Sequence, residues 1–198
     1  MMSNDREYRA FEFESQDDDK MIVEGKAVSF DSPTVLFESD GVKYYEVIDR
    51  GAFDNAKMDD VVLVVNHTGS PAARTKNKTL ELKKDQTGLF MRAELSRSSI
   101  GPGVYRDIKE GIFDKMSFAF TVRKDAYDRE TRTRTILEID RLWDVSVVNF
   151  PAYEDTGVSA RSFFEAEAEK ERHEREELRK RDELIKGLKD LVMKGVNE

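Results

Sequence analysis

The sequence predicts a mainly β fold with peripheral helices, an α+β class, followed by a charged C-terminal helix. Short apolar or alternating stretches separated by turn residues recur from about residue 8 to residue 160, which is typical of many short strands. All four prolines precede residue 152, whereas "EAEAEKERHEREELRKRDE" beyond Ser162 is almost entirely charged and lacks Gly and Pro. We therefore expect a folded domain over residues 1–161 and a helical tail over residues 162–198.

The strand predictions follow from apolar patterning. "MIVEGKAVSF" has the alternation of a half-buried strand, and "VVLVV" (61–65) is a continuous apolar run typical of a central strand. "TLELKK" and "GLFMRAEL" flank "DQTG", which predicts a hairpin with Gly88 at a positive φ. "MSFAFTV" and "RTRTILEIDRLWDVSVVNF" flank the polar "RKDAYDRET" and predict a second hairpin. Many strands with few helices favour a closed or nearly closed β-barrel.

Two helical segments interrupt these strands. "GAFDNAK" (51–57) predicts a short helical turn. Pro102 suits a first helical position, and "GVYRDIKEG" ends at Gly111 as helices commonly do.

The charged tail allows two interpretations. Acidic residues precede basic ones by four positions, as in Glu171 and Arg175, which stabilises a solvated helix. Leu178, Ile185 and Val192 repeat every seven residues, so that a short coiled-coil seam and self-association form one interpretation. A solvated helix that frays at both ends is the other, and the pattern does not choose between them.

Composition argues against several classes of function. A net charge of −8 gives no overall attraction for nucleic acid or an anionic membrane, and no apolar stretch is long enough to span a bilayer. The N-terminal residues lack the basic and apolar regions of a signal peptide. The absence of cysteine excludes disulfides and thiolates, and two histidines are too few for a His-rich metal site. No EF-hand spacing, phosphate loop or dinucleotide fingerprint occurs, so we expect no metal and no cofactor, although the composition leaves a carboxylate-only Mg²⁺ or Ca²⁺ site open.

Three side chains are candidates for chemistry, each with a structural alternative. His67 follows "VVLVVN" and is the only histidine before the tail, so it is the one histidine of the folded region that could act as a general base near neutral pH. The alternative is an exposed turn residue without a catalytic function. Ser117 in "KMSFAF" shares a strand face with Ala119, where two small side chains leave room for a substrate backbone, or it packs under a helix. Asp144 is flanked by apolar residues and requires a partner, either an arginine or an imidazole.

Together these residues supply a serine nucleophile, a base and an acid that orients the base. The order His67, Ser117, Asp144 without a "GxSxG" elbow disfavours an α/β-hydrolase. Glu138 and Asp140 lie nearby on the same segment and are alternatives for the third member.

Four blocks, "YYEVIDRGAFDNA", "VVLVVNHTGSP", "KMSFAF" and "LWDVSVVNFPAYEDTGVSA", resemble in sequence and order the prohead maturation proteases of tailed bacteriophages. The resemblance covers about residues 8–160 and implies a barrel distantly similar to the herpesvirus assemblins. It implies His67 as general base, Ser117 as nucleophile and Asp144 as third member. Backbone N–H groups, helped by Arg74, are expected to bind the oxyanion.

The chain departs from the family pattern at two positions. Ala119 stands where the family usually has glycine after the nucleophile, which adds a methyl group to the expected peptide groove. Thr68 stands where an acid often follows the histidine.

The resemblance also implies substrates and a location. The substrates would be a scaffolding protein or the scaffolding region of the major capsid protein, and the protease itself. Cleavage would take place inside the prohead, the immature capsid, in the host cytoplasm. The tail would hold the protease in the scaffold core, with an exposed linker as an autocleavage site. The alternative is a non-enzymatic scaffold or assembly factor in which Ser117 is merely packed.

Overall fold

A computed structural model of the chain describes residues 7–17, 20–149 and 158–195, with side chains from residue 20 to residue 149 and over most of the last helix. The chain divides into two compact units, residues 1–161 and 162–198. The strands are β1 (Glu7–Asp17), β2 (Ile22–Ser29), β3 (Thr34–Ser39), β4 (Val42–Ile48), β5 (Val62–Val65), β6 (Thr68–Arg74), β7 (Leu80–Lys84), β8 (Gly88–Glu94), β9 (Lys115–Asp128) and β10 (Thr133–Val148). The helices are α1 (Gly101–Lys109) and α2 (Val158–Gly195), with a short 3-10 turn at Thr75–Asn77.

The mainly β, α+β class predicted from the sequence is confirmed. The strands pair in the order β3-β4-β10-β9-β1-β2-β8-β7, and β5 joins the second half of β10 with β6 beside it. Most pairs are antiparallel, but β10 pairs in parallel with both β4 and β5. Strand β10 therefore has β9 along one edge and two shorter strands, end to end, along the other.

Within the described residues the strand ladders form an open path, so the predicted closed barrel is not seen as a continuous ring of ladders. The two distant parts of this path nevertheless approach each other. The backbone N–H of Ser96, just after β8, donates to the carbonyl oxygen of Ala72 in β6 at 2.7 Å. One hydrophobic core includes buried side chains from β2, β5, β8, β9, β10 and α1.

Both predicted hairpins are confirmed, with one boundary wrong. Strands β7 and β8 pair around the "DQTG" turn. Strands β9 and β10 also pair, but much of the polar stretch assigned to their connection belongs to β9, which continues to Asp128. The turn is therefore short and includes Arg132 at a φ of 51°. Cross-strand pairing outweighed the polarity of this stretch, and its polar side chains are tolerated because they are largely exposed to solvent.

One local prediction was wrong for a steric reason, and a second segment is less regular than predicted. Gly88 has no positive φ; a Cβ at this position would lie 2.0 Å from the carbonyl oxygen of Val28, so glycine is required by close backbone approach. The segment 51–57 forms successive turns, including Ala52 N–H to the carbonyl oxygen of Asp49, and no helix.

Helix α1 ends as the sequence predicts. Gly111 adopts a φ of 73°, its N–H donates to the carbonyl oxygen of Ile108, and the N–H of Ile112 donates to that of Asp107. This is the double bond pattern of a Schellman motif. At the other end, Gly101 lies so close to the backbone of Ser96 that a Cβ would be 1.7 Å from its carbonyl oxygen.

Helix α2 begins before the predicted tail boundary. Its described surface has ion pairs such as Glu177 with Lys180 at 3.2 Å and Arg179 with Glu183 at 3.6 Å. The predicted seam is exposed where its side chains are described; Leu178 is 57% exposed and Ile185 is also exposed, as are the neighbouring Leu184 and Leu188. The Val192 side chain lies outside the described residues, and no described helix is both long and apolar enough to cross a membrane.

A buried ion pair joins β4 to β10. Arg134 and Glu46 are directly paired in the parallel ladder, with Nη1 3.3 Å from Oε2 and both side chains less than a tenth exposed. The Nε of Arg134 also donates to Oδ2 of Asp125 at 2.5 Å. Removing the arginine would leave a buried carboxylate without its cation, which is costly.

We expect Arg134→Met to lower the free energy of unfolding by about 3–5 kcal/mol. The matched control is Arg50→Met, because Arg50 pairs with Asp31 at 2.9 Å but both side chains are about half exposed. That variant should lose no more than about 1 kcal/mol. Urea denaturation measures both, and equal losses would contradict the argument from burial.

The two glycines of α1 give a second comparison. Gly101→Ala places a methyl group against the Ser96 backbone and should destabilise the protein, whereas nothing lies within 4 Å of a Cβ at Gly103. Gly103→Ala should stabilise the protein by about 0.5–1 kcal/mol, since alanine favours helix. Thermal denaturation reports both, and the expected signs are opposite.

Candidate active site

The second half of β10 brings the three predicted site residues into one part of the sheet. Along one edge Ser146 is paired with Ser117 and Asp144 with Ala119, both on β9. Along the other edge Val147 is paired with Val65, the last residue of β5. Residues directly opposite in a ladder share a face, so Ser117 and Ser146 lie side by side, with Asp144 next along β10.

His67 lies in a strained two-residue turn between β5 and β6. Asn66 has a φ of 48° and His67 a φ of 56°, and Val65 pairs with Thr68 across the turn. Positive φ at both central residues is the pattern of a type I′ hairpin turn, where glycine is preferred at the second position. Histidine in this conformation has a conformational cost that the surrounding structure has to offset.

Hydrogen bonds to β10 hold this turn in place. Asn66 N–H donates to the carbonyl oxygen of Val147 at 2.9 Å, and Asn149 N–H donates to Oδ1 of Asn66 at 3.3 Å. The N–H of His67 itself donates to Oγ of Ser146 at 3.2 Å. The imidazole is therefore fixed relative to the strand that contains Asp144.

The imidazole, the carboxylate and the Ser146 hydroxyl form a compact hydrogen-bonded group. Nδ1 of His67 lies 2.7 Å from Oδ1 of Asp144, and Oγ of Ser146 lies 2.7 Å from the same Oδ1. Oγ of Ser146 is 3.1 Å from Nδ1. The histidine side chain is 18% exposed and the aspartate 7%, so this contact is largely shielded from water.

Ser117 is at the centre of this region but is covered. Ser117 is 1% exposed, and its Oγ makes no hydrogen bond. Ala119 is fully buried, and Met116, Phe118 and Phe120 belong to the hydrophobic core. The alternation of core and small side chains along the first half of β9 is as predicted, but both faces of this half are buried, and the face of Ser117 is not an open groove in this structure.

The comparisons with known proteins identify the family. A family model described as caudovirus prohead serine protease matches residues 9–171. The chain belongs to the caudovirus prohead serine protease family. It is 29% identical over 152 residues to the prohead protease of Enterobacteria phage HK97, an alignment that covers 68% of each protein. No solved structure gives a significant match. Membership makes the chain a serine protease of phage capsid maturation.

Arg74 does not contact the hydrogen-bonded group of His67, Asp144 and Ser146. It ends β6 opposite Val62, and the four residues of β5 (Val62–Val65) separate it from the His67 turn by roughly 10 Å at about 3.3 Å per residue. Its guanidinium donates two hydrogen bonds to Asp60, at 2.6 and 2.7 Å. The Arg74 hydrogen bond lowers the pKa of the Asp60 carboxyl below its ordinary value. The oxyanion role of Arg74 stays a prediction, and this pairing gives it no support.

The alternative acids are placed elsewhere along β10. Asp140 pairs with Arg123 and with Lys57, and the hydrogen bond from Arg123 lowers the pKa of its carboxyl. Glu138 is opposite Lys124 on β9. Lys124 and Ala119, which are opposite Glu138 and Asp144, are five positions apart on β9, so Glu138 is separated from Asp144 by roughly 16 Å, whereas Asp140 is closer but its carboxylate is held by Arg123 and Lys57.

Sequence reasoning missed two residues of the site. Strand alternation puts Ser146 on the same face as Asp144, and the "DVS" spacing, two polar residues two positions apart in an apolar strand, is the signal that could have found it. Asn66 was not considered, although asparagine readily adopts positive φ. The Gly and Pro of "TGSP" favour a turn at that stretch, but these residues belong to β6, and the turn lies immediately before them at Asn66 and His67.

Part of the fourth sequence block, "LWDVSVVNFPAYEDTGVSA", lies outside the described residues. Residues 150–157, which include "FPAYEDTG" and the expected linker with its autocleavage site, belong to this part. Among the described residues, no group of three or more His, Cys, Asp or Glu side chains is arranged to hold a metal ion.

We expect His67→Gly to be more stable than His67→Ala by about 1 kcal/mol, because glycine tolerates the positive φ of this turn and alanine does not. Both variants lose the imidazole, so their difference isolates the backbone strain. Thr68→Gly and Thr68→Ala are the matched pair, since Thr68 is exposed and lies in β6 outside the positive-φ positions. There alanine should be the more stable. Chemical denaturation of the four variants checks this, and the same order at both positions would contradict it.

Proposed function

We propose that this prohead protease cleaves peptide bonds with Ser117 as nucleophile, His67 as general base and Asp144 as the acid that orients the histidine. The observation that carries the proposal is the 2.7 Å contact between Nδ1 of His67 and Oδ1 of Asp144, next to the strand position of Ser117. A Ser–His–acid site requires an imidazole that is fixed by a carboxylate beside a serine hydroxyl.

The contact with Asp144 assigns separate functions to the two ring nitrogens. A carboxylate can only accept hydrogen bonds, so Nδ1 has to be the protonated nitrogen and Nε2 has the free electron pair that acts as the base. Ser146 lies on the Nδ1 side of the ring, at 3.1 Å. It is therefore poorly placed as a nucleophile, since the base is the other nitrogen. Ser117 is the serine opposite it on β9, and its Oγ has no competing hydrogen bond.

The chemical steps follow from these assignments. Oγ of Ser117 attacks the carbonyl carbon of the scissile peptide, and its proton passes to Nε2 of His67. The imidazolium that forms is stabilised by Asp144. The C–N bond then breaks as Nε2 returns the proton to the leaving amine, and an acyl-enzyme ester remains. Water, deprotonated by the same nitrogen, hydrolyses the ester and regenerates Ser117.

A substrate must reach Ser117, which is 1% exposed. Binding of a peptide therefore requires displacement of the groups that cover this face of β9, and part of the binding energy is used for that displacement. Ala119 is two positions from Ser117 on the same face, so its methyl group would border the peptide. For the oxyanion we propose backbone N–H groups, which need no side chain such as Arg74.

The proposed substrates are capsid proteins of the same virus: a scaffolding protein or the scaffolding region of the major capsid protein, and the protease itself. Cleavage inside the prohead would clear its interior before DNA is packaged. The relative from phage HK97 is named a prohead protease, which supports this location. We further propose residues 1–161 as the protease domain and the charged helix beyond as the segment that associates with the scaffold.

We also propose that the sheet curves into the nearly closed barrel that an assemblin-like fold requires. The support is the hydrogen bond from Ser96 to Ala72, which joins the two distant parts of the strand path, and the single core that both parts share. Because this hydrogen bond takes the place of a full strand ladder, the barrel is incomplete between β6 and the end of β8.

The proposed function predicts the effect of three substitutions on cleavage. Ser117→Ala and His67→Ala should each reduce kcat by about 10⁶-fold, with no further loss when they are combined, because they act as one unit. Asp144→Asn should reduce kcat by about 10⁴-fold, since an amide can hold the wrong tautomer. Co-expression with the capsid and scaffolding proteins of the same virus, followed by gel electrophoresis and mass spectrometry, measures the products.

Ser70→Ala is the matched control, because Ser70 is exposed on β6. This variant should cleave the same substrates as the parent. If the parent and Ser117→Ala leave the same full-length bands, the nucleophile assignment is wrong. If, in addition, the parent cleaves neither these proteins nor itself, a non-enzymatic scaffold or assembly factor describes the protein better than a protease does.

A further inference from the structure

We propose that Ser146 is a positioning residue that fixes the tautomer and the orientation of His67 through Asp144 and through the His67 backbone. This inference rests on the proposed function, because it concerns the histidine that acts there as general base. Ser146 is fully buried and uses its one hydroxyl for two contacts at once. The backbone N–H of His67 donates to Oγ at 3.2 Å, and Oγ lies 2.7 Å from Oδ1 of Asp144.

The hydrogen-bonding capacities of these groups allow one arrangement of protons. Oγ already accepts from the His67 N–H, so its single proton is available to donate, and the neighbours within reach are Oδ1 of Asp144 and Nδ1 of His67. If the hydroxyl donated to Nδ1, that nitrogen would be unprotonated and would face the ionised Oδ1 at 2.7 Å, lone pair against lone pair. With the hydroxyl donating to Oδ1, Nδ1–H also donates to Oδ1, and every contact is favourable.

Ser146 therefore acts on the base in two ways. Its hydroxyl holds Oδ1 in line with Nδ1–H, which keeps the ring in the tautomer with a free electron pair on Nε2. Its oxygen also accepts the backbone N–H of a histidine held at positive φ, so that it helps to maintain the strained turn. A residue of the same size without a hydroxyl loses both contacts and leaves a backbone N–H without its acceptor.

The first experiment measures kinetics on a capsid substrate. Ser146→Ala should lower kcat by roughly ten- to a hundredfold with little change in KM, since a small misplacement of a catalytic group has an effect of this size. Ser146→Thr keeps the hydroxyl and should recover most of the loss. Thr121→Val is the matched control, because Thr121 is a buried residue whose Oγ1 makes no hydrogen bond, and its kcat should equal that of the parent. A loss in Thr121→Val as large as in Ser146→Ala would overturn the proposal.

A double-mutant cycle tests whether Ser146 acts through Asp144. In the Asp144→Asn background, Ser146→Ala should change kcat by less than threefold, because the carboxylate that it orients has already been removed. If Ser146→Ala lowers kcat by the same factor in both backgrounds, Ser146 does not act through Asp144 and the inference fails.

A spectroscopic measurement separates this inference from the proposed function. Since the chain has two histidines, His173→Gln leaves His67 as the only imidazole for ¹⁵N NMR. The protein with Ser146 should show one ring tautomer, protonated at Nδ1, and a His67 amide protected from exchange. Ser146→Ala should show averaged ring signals and faster amide exchange, with Thr121→Val unchanged. Identical spectra overturn the positioning role even if the parent cleaves its substrate. If the spectra differ but nothing is cleaved, the proposed function fails and the orientation of His67 by Ser146 stands.

Discussion

The two-sided pairing of β10 is the constraint on which the site depends. Its second half has the antiparallel strand β9 on one edge and the parallel strand β5 on the other. One edge places Ser117 beside Ser146, and the other places the His67 turn above Asp144. A shift of one residue in either ladder would move the serine or the carboxylate to the opposite face of the sheet. The site geometry is therefore a property of strand register rather than of any single loop.

The backbone strain of the site is concentrated in the two-residue turn at Asn66 and His67. Histidine at a φ of 56° occupies a position where glycine would be more favourable, and it stays there because the turn is bonded to β10 through Asn66 and through Ser146. Burial adds a second cost, since Asp144 is almost completely enclosed. Each cost is offset by partners on the same strand, so that removing one partner affects backbone, carboxylate and imidazole together.

The sequence was sufficient for the strands with strong apolar patterns and for the end of α1. It was also sufficient to select Asp144 as an acid in need of a partner, because burial beside apolar neighbours is visible locally. It could not show that the turn falls at Asn66 and His67 rather than at "TGSP", since tertiary bonds to β10 stabilise a conformation that local propensity disfavours. The function of Ser146 depends on its register with β5 and β9, and the requirement for glycine at position 88 depends on the approach of another strand. Long-range pairing is not encoded in any short stretch of residues.

The sequence separation within the His67 cluster has a consequence for folding. His67 and Ser146 are 79 residues apart, and their contact requires the parallel pairing of β5 with β10, the last strand of the sheet. Non-local and parallel contacts form slowly because the chain between them has to be ordered first. During synthesis the histidine emerges from the ribosome well before Asp144 and Ser146, so an incomplete nascent chain cannot form the His67 cluster. In the proposed mechanism, proteolytic competence would therefore be delayed until the whole sheet has been made, so that incomplete chains could not cleave themselves or their neighbours.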